Sequence, residues 1–110
     1  MAGLDPWRRD LLMLLNEEEI TGSLAGIVGW QREGACIVRH FKFDGFMSAL
    51  AFVNQVGAVA EAADHHPDIR LFDWNHVELK LTTHSSSGLT RKDFDLAGRI
   101  DALTPELSNQ

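Results

Sequence analysis

The stretch EAADHHPDIR, from Glu61 to Arg70, sets His65 and His66 side by side, with Glu61 and Asp64 before them and Pro67 after. Histidine is the one side chain whose ordinary pKa, about 6.5, lets it gain or lose a proton near neutral pH. The pair is therefore a candidate for general acid/base catalysis, for metal binding, or simply for closing a helix end. His76 and His84 bring the histidines between positions 65 and 84 to four.

Metal binding has little spacing behind it. Neither H-E-x-x-H nor a cysteine-histidine zinc spacing is present, and adjacent side chains such as His65 and His66 point apart in an extended chain. Glu61 with His65, four apart at a helix end, is the remaining chelating pair, and the expectation is no metal. A nucleophile is poorly supported as well. No G-x-S-x-G elbow surrounds Ser85, Ser86 or Ser87, and Cys36 lies in an apolar run with no positive neighbour to make a thiolate. A glycine-rich phosphate loop is also missing from the sequence.

General acid/base work fits the residue types better. Glu61, Asp64 and the negative end of the preceding helix all favour the protonated form of His65, which can then donate a proton at neutral pH. His84 ends a strand just before a serine loop and reaches the same cleft only if helix exit and strand end meet. On spacing alone this reading stands level with the bland one, in which nearby carbonyls satisfy the histidines.

The elements that must position these residues follow from periodicity and caps. Asn16 caps a helix that opens with Glu17, Glu18 and Glu19, with Leu15 stapled onto Ile20 and an apolar stripe of Ile20, Leu24, Ile27 and Val28 ending at Gly29. WQREGACIVRHFKF reads as a hairpin about Glu33 and Gly34, with Ile37, Phe41 and Phe43 on one face and Val38, His40 and Lys42 on the other. His40 is expected as a half-exposed strand residue. Asp44 caps the longest helix, whose core stripe is Phe46, Ala49, Leu50, Val53, Val56, Gly57 and Ala60, and Pro67 stops it before His66. DIRLF and HVELKLTTH form a second hairpin through DWN, with Val77, Leu79 and Leu81 facing inward. Thr90 opens the last helix with Asp93 at the third position, Leu89 and Phe94 are placed for a staple, and Leu96, Ala97, Ile100 and Leu103 form its stripe. The order αββαββα, with strands apolar on one face only, predicts an α+β two-layer sandwich: a four-stranded antiparallel sheet with three helices on one face.

Composition bounds the rest. A chain of 110 residues, 45% hydrophobic and 24% charged, is expected to form one domain over 1–110, with residues 1–14 a loosely ordered N-terminal extension. Its formal charge of −6 and scattered ten lysines and arginines disfavour nucleic acid and anionic membranes. The apolar run Leu11 to Leu15 is too short for a signal or a membrane span, and the single cysteine, Cys36, suits a reducing compartment. A cytoplasmic location is expected.

From Glu61 to Asp93 the sequence resembles the pterin-4a-carbinolamine dehydratase family. Glu61, His65, His66, Pro67, Trp74, Thr83, His84 and Asp93 match the family's pattern, and the likeness runs from LLNEEEI through VGW, FKF and AFVNQV to LTRKDFDLAGRID. The resemblance implies an enzyme, a hydro-lyase that removes water from 4a-hydroxytetrahydropterin and leaves quinonoid dihydropterin, thereby recycling the tetrahydrobiopterin-type cofactor of aromatic amino-acid hydroxylases. It implies dimers or tetramers, no metal and no cofactor, the pterin being the substrate. His65 and His84 are then the proton-transfer residues, with His66 beside them and Glu61 and Asp93 orienting. The pterin contacts fall on Asp64, His65 and His66 and on Thr82, Thr83, His84 and Ser85. Animal members carry a Trp where Ile69 stands and a Glu where Ser85 stands. The alternative carried by the same family is a non-catalytic binding or assembly role toward a protein partner, since animal members double as dimerisation cofactors of a transcription factor.

Overall fold

The computed structural model describes residues 13–103. The loosely ordered extension expected over 1–14, and the start of the apolar run at Leu11, therefore fall up to residue 12 outside the described residues. Helix α1 spans Glu17–Ala25, strands β1 and β2 span Gln31–Glu33 and Cys36–Lys42, and helix α2 spans Phe46–Ala63. Strands β3 and β4 span Asp68–Phe72 and His76–Leu81, a short 3-10 turn covers His84–Ser86, and helix α3 spans Arg91–Asp101. The strands pair antiparallel throughout in the order β1-β2-β4-β3. Alternation decides which face is buried. Ile37, Phe41, Val77, Leu79 and Leu81 join Ile20 of α1, Ala49, Phe52, Val56 and Ala60 of α2, and Phe94, Leu96, Ala97 and Ile100 of α3 in one cluster. The α+β sandwich with three helices on one face is the architecture observed.

Three boundaries differ from expectation, each for a local reason. Helix α1 stops at Ala25 rather than running to Val28, because Gly26, a poor helix residue, takes the C-cap and bonds back to the Ser23 carbonyl. Val28 is consequently 80% exposed. Gly45, not Asp44, is the N-cap of α2, and its N–H is taken up by the Ser48 hydroxyl at 3.2 Å. Within α2 the buried aromatic is Phe52, whose ring meets Phe41 at 4.7 Å and Phe43 at 5.0 Å. Phe46 stays 48% exposed, and Gly57 is exposed too. The helical period permits both stripes, and the aromatic contacts select between them. By length and mean hydropathy α2 could cross a membrane; here Ala49, Phe52, Val56 and Ala60 are buried in the core.

A buried cation ties the far end of the sheet to α3. Arg39 of β2 lies on the apolar face and donates to Asp101 Oδ1 at 2.8 Å and to the Val28 carbonyl at 3.0 Å. Gly29 makes room for it: at φ +95 its missing Cβ would sit 2.8 Å from the guanidinium carbon. Trp30 Nε1 donates to the same carboxylate at 2.9 Å. Burial pushes the Asp101 carboxyl above its usual range more strongly than Trp30 and Arg39 draw it down.

Candidate active site

Helix α2 ends in a way that separates the two histidines. Asp64 takes the left-handed conformation, φ 50 and ψ 42, and the N–H of His65 bonds back to the Ala60 carbonyl at 3.1 Å. Such a reversal closes the last turn, and Asp tolerates it better than most residues. Pro67 then commits the chain to β3. The outcome is that His65 turns inward, its side chain 11% exposed, while His66 points out at 57%.

At the other side, β4 runs out at Leu81, and Thr83 folds back on Gly88 through two backbone bonds, Thr83 N to Gly88 O at 3.0 Å and the reverse at 3.3 Å. This closes the serine loop and begins the 3-10 turn at His84. Helix α3 starts where the loop returns. Its capping box is the one the sequence predicts: the Thr90 N–H donates to Asp93 Oδ2 at 3.0 Å, and Thr90 Oγ1 accepts from the Lys92 N–H at 3.2 Å.

Asp93 joins the two sides. It has no exposed surface, and each oxygen is supplied with donors: Oδ1 faces His65 Nε2 at 2.6 Å, and Oδ2 accepts from the Thr83 hydroxyl at 2.8 Å as well as from the Thr90 N–H. Thr83 has a single hydroxyl proton, so in its 2.8 Å contact with Thr90 the Thr90 hydroxyl is the donor. The same logic assigns a tautomer. A carboxylate only accepts, so His65 Nε2 carries a hydrogen and Nδ1 is the ring nitrogen left for exchange.

Helix exit and strand end do meet. Asp64, His65 and His66 face Thr82, Thr83, His84 and Ser85 across a cleft of about 220 Å³, with Lys92 at its margin. Every residue the family pattern places against the substrate is therefore in one concavity. Two others stand behind it: Asp93 under His65, and Glu61, whose Oε1 lies 2.8 Å from His66 Nε2. That last contact corrects an expectation. The residue types place Glu61 to act on His65, but the left-handed turn at Asp64 sends His65 to Asp93 and leaves Glu61 to His66. His76 sits on the open face of the sheet, where its Nδ1 meets His40 Nε2 at 2.7 Å, so His40, expected as a half-exposed strand residue, is an exposed member of a pair. Trp74, at φ 55 in the β3–β4 turn, is exposed and does not line the cleft. Among the described residues no three His, Cys, Asp or Glu side chains gather in a way that could hold a metal ion. Periodicity missed Lys92 as a cleft residue, although its place one residue before the capping-box Asp93 was the available signal.

The profile of the family described as pterin 4 alpha carbinolamine dehydratase matches residues 13–103. A protein of Roseiflexus castenholzii, provisionally named a pterin-4-alpha-carbinolamine dehydratase, is 50% identical over 90 residues, covering 82% of this chain and 96% of the relative. One of Paracoccus denitrificans with the same provisional name is 42% identical over 107 residues, covering 94% and 99%. Among solved structures, a transcriptional coactivator/pterin dehydratase from Brucella melitensis superposes with a TM-score of 0.76 at 36% identity, over 81% of this chain and 96% of that one. A pterin dehydratase-like protein identified as a RuBisCO assembly factor in the alpha-carboxysome superposes at 0.55 with 25% identity, over 67% and 84%.

Proposed function

The chain belongs to the pterin-4a-carbinolamine dehydratase family, and on that premise we propose that it dehydrates 4a-hydroxytetrahydropterin to quinonoid dihydropterin by histidine acid/base chemistry. The observation that carries the reading is the cleft itself: His65, His66 and His84 line one concavity, and His65 is held by a buried, fully supplied carboxylate. Loss of water requires a proton on the departing C4a hydroxyl and removal of one from a ring nitrogen. His84, exposed at the cleft, delivers the first, and the C4a–O bond breaks with its electrons leaving on water. His65 takes the second on Nδ1, where the charge that develops faces Asp93 through the ring. Histidines suit both steps because acid/base catalysis works best with groups titrating near the working pH. Thr82, Thr83, Ser85, Asp64 and His66 contact the pterin, and Glu61 orients His66. The same reading takes the protein as a homodimer or homotetramer, since β1 and the first three residues of β3 are exposed edges of the sheet. A monomeric mass by light scattering at assay concentration counts against that part.

A second reading, a non-catalytic binding or assembly role on the same fold, is favoured by the likeness to the RuBisCO assembly factor. One assay separates the two. A 4a-hydroxytetrahydropterin generated by a coupled hydroxylase is expected to lose water faster with the protein than without it. The uncatalysed rate from a folded sample would move the assignment to the binding role.

A further inference from the structure

The histidine cleft does not end at His65 and Lys92. Both residues also line an adjoining concavity of about 210 Å³, walled by Ala63 and Leu96 and carrying Asp95 and Arg99. At about 220 Å³ the cleft is smaller than the roughly 300–1,000 Å³ usual for small-molecule sites, and only the two concavities together reach that range. A pterin ring placed in the first must extend its substituent somewhere, and the second shares His65 and Lys92 with it.

Arg32, Arg39, Arg70 and Lys80 are each paired with a carboxylate. Lys42, Arg91, Lys92 and Arg99 have no carboxylate partner among the described residues, and the last two stand in the second concavity, with Asp95 between them on α3. The seven residues from Lys92 to Arg99 rise about 10 Å along the helix, so the two cations line a path leading outward from His65. In a protein of formal charge −6, two uncommitted cations beside the cleft favour an anion.

We propose that this second concavity is a substituent subsite and that it selects pterins whose side chain bears a phosphate. The proposal rests on the reading that the histidine cleft holds the pterin ring. A phosphate monoester carries about −1.5 to −2 charges at pH 7, which two cations balance. Arg99 offers a fork of N–H donors to its oxygens, and Lys92 a compact charge nearer the ring. Asp95 opposes the anion and moderates the preference.

Calorimetric titration tests it with two probes: a 7,8-dihydropterin with a trihydroxypropyl side chain, and the same compound phosphorylated on the terminal hydroxyl. The phosphorylated probe is expected to bind about ten-fold tighter or more, the usual scale of a charge-assisted contact. Lys92→Gln and Arg99→Gln should each lower that ratio, and the double variant should bring it near one. Asp95→Asn should raise it. All three positions are exposed, and circular dichroism checks that the variants fold. Equal binding of both probes by the wild type, or a preference that survives the double variant, overturns the subsite while leaving the pterin cleft standing. Failure of both probes to bind overturns the cleft assignment, and the subsite falls with it.

Discussion

At the cleft, His65 meets Asp93 at 2.6 Å beneath a concavity; on the open face of the sheet, His40 meets His76 at 2.7 Å, and neither of these two lines the cleft. The second pair is at least as well built mechanically. Its ring planes differ by 5°, and the nitrogens approach more closely than the ring centroids, 4.9 Å apart, so the two imidazoles meet edge to edge. Phe72 packs beside both rings, with the Arg70 guanidinium 3.9 Å over its face. What differs is the partner and the room. Asp93 is a buried acceptor behind His65, whose other nitrogen is left beside the cleft, whereas His40 Nε2 and His76 Nδ1 spend one nitrogen each on one another on an exposed face. Two histidines in contact are therefore no sign of a site. A buried acceptor behind one ring and space in front of it are better signs.

That contrast can be broken most directly by removing the imidazoles. His65→Ala and His84→Ala should each lower kcat by about 10² to 10⁴, the usual contribution of a positioned acid or base, with a smaller change in pterin affinity. The double variant should lose less than the product of the single losses. If both single variants fold and keep full activity, the cleft histidines are as structural as His40 and His76.

Removing the acceptor should come next in size. Asp93→Asn keeps the shape but aims an amide at groups that are themselves donors, so both activity and stability should fall. Urea unfolding should show a loss of about 1–3 kcal/mol, the cost of leaving buried donors unmatched. A variant of unchanged stability and unchanged kcat would mean that Asp93 neither orients His65 nor ties the loop to α3.

Asp101 sharpens the comparison between carboxylates. Asp101→Asn takes the ion partner from the buried Arg39 and should destabilise the fold by roughly 1–3 kcal/mol, less than for a wholly buried pair because Asp101 is partly exposed. The pH dependence has a definite sign. Burial raises the folded-state pKa of Asp101 above 3.8, so the folded protein holds this proton more tightly than the unfolded chain does. The stabilisation from this group is full below the unfolded value and is lost as pH rises through the folded one. The gap in unfolding free energy between wild type and Asp101→Asn should accordingly narrow as pH rises above about 4. A gap that widens over that window would reverse the assignment.

Smaller effects belong to the exposed contacts. Glu61→Gln should change kcat by no more than about threefold, because its bond to His66 lies in solvent, where ion pairs are worth little. A loss of the His65→Ala size would return Glu61 to the proton-transfer machinery. Smallest of all, His40→Ala should leave kcat at the wild-type value and stability within about 0.5 kcal/mol, as for most surface changes.

Much of this molecule was legible along the chain, because its signals are local. Alternation of Val77, Leu79 and Leu81 set the face of β4, the Thr90 and Asp93 spacing set the start of α3, and the proline at 67 required α2 to end before His66. Each involves hydrogen bonds or packing over a few residues, and the αββαββα order follows from them. The likeness to a known family identified the set Glu61, His65, His66, His84 and Asp93, and left open which acid serves which histidine. Only the tertiary structure decided that. His65 and Asp93 lie 28 positions apart and His40 and His76 lie 36 apart; their meeting depends on how α3 docks against the sheet and on the register of β2 with β4. Glu61 loses His65 because one residue, Asp64, adopts a left-handed backbone, and Phe52 displaces Phe46 from the core because two rings on β2 and just beyond it are there to receive it. Periodicity specifies which face of an element turns inward. Which partners it finds is a property of the packed layers, where distance along the chain no longer measures distance in space.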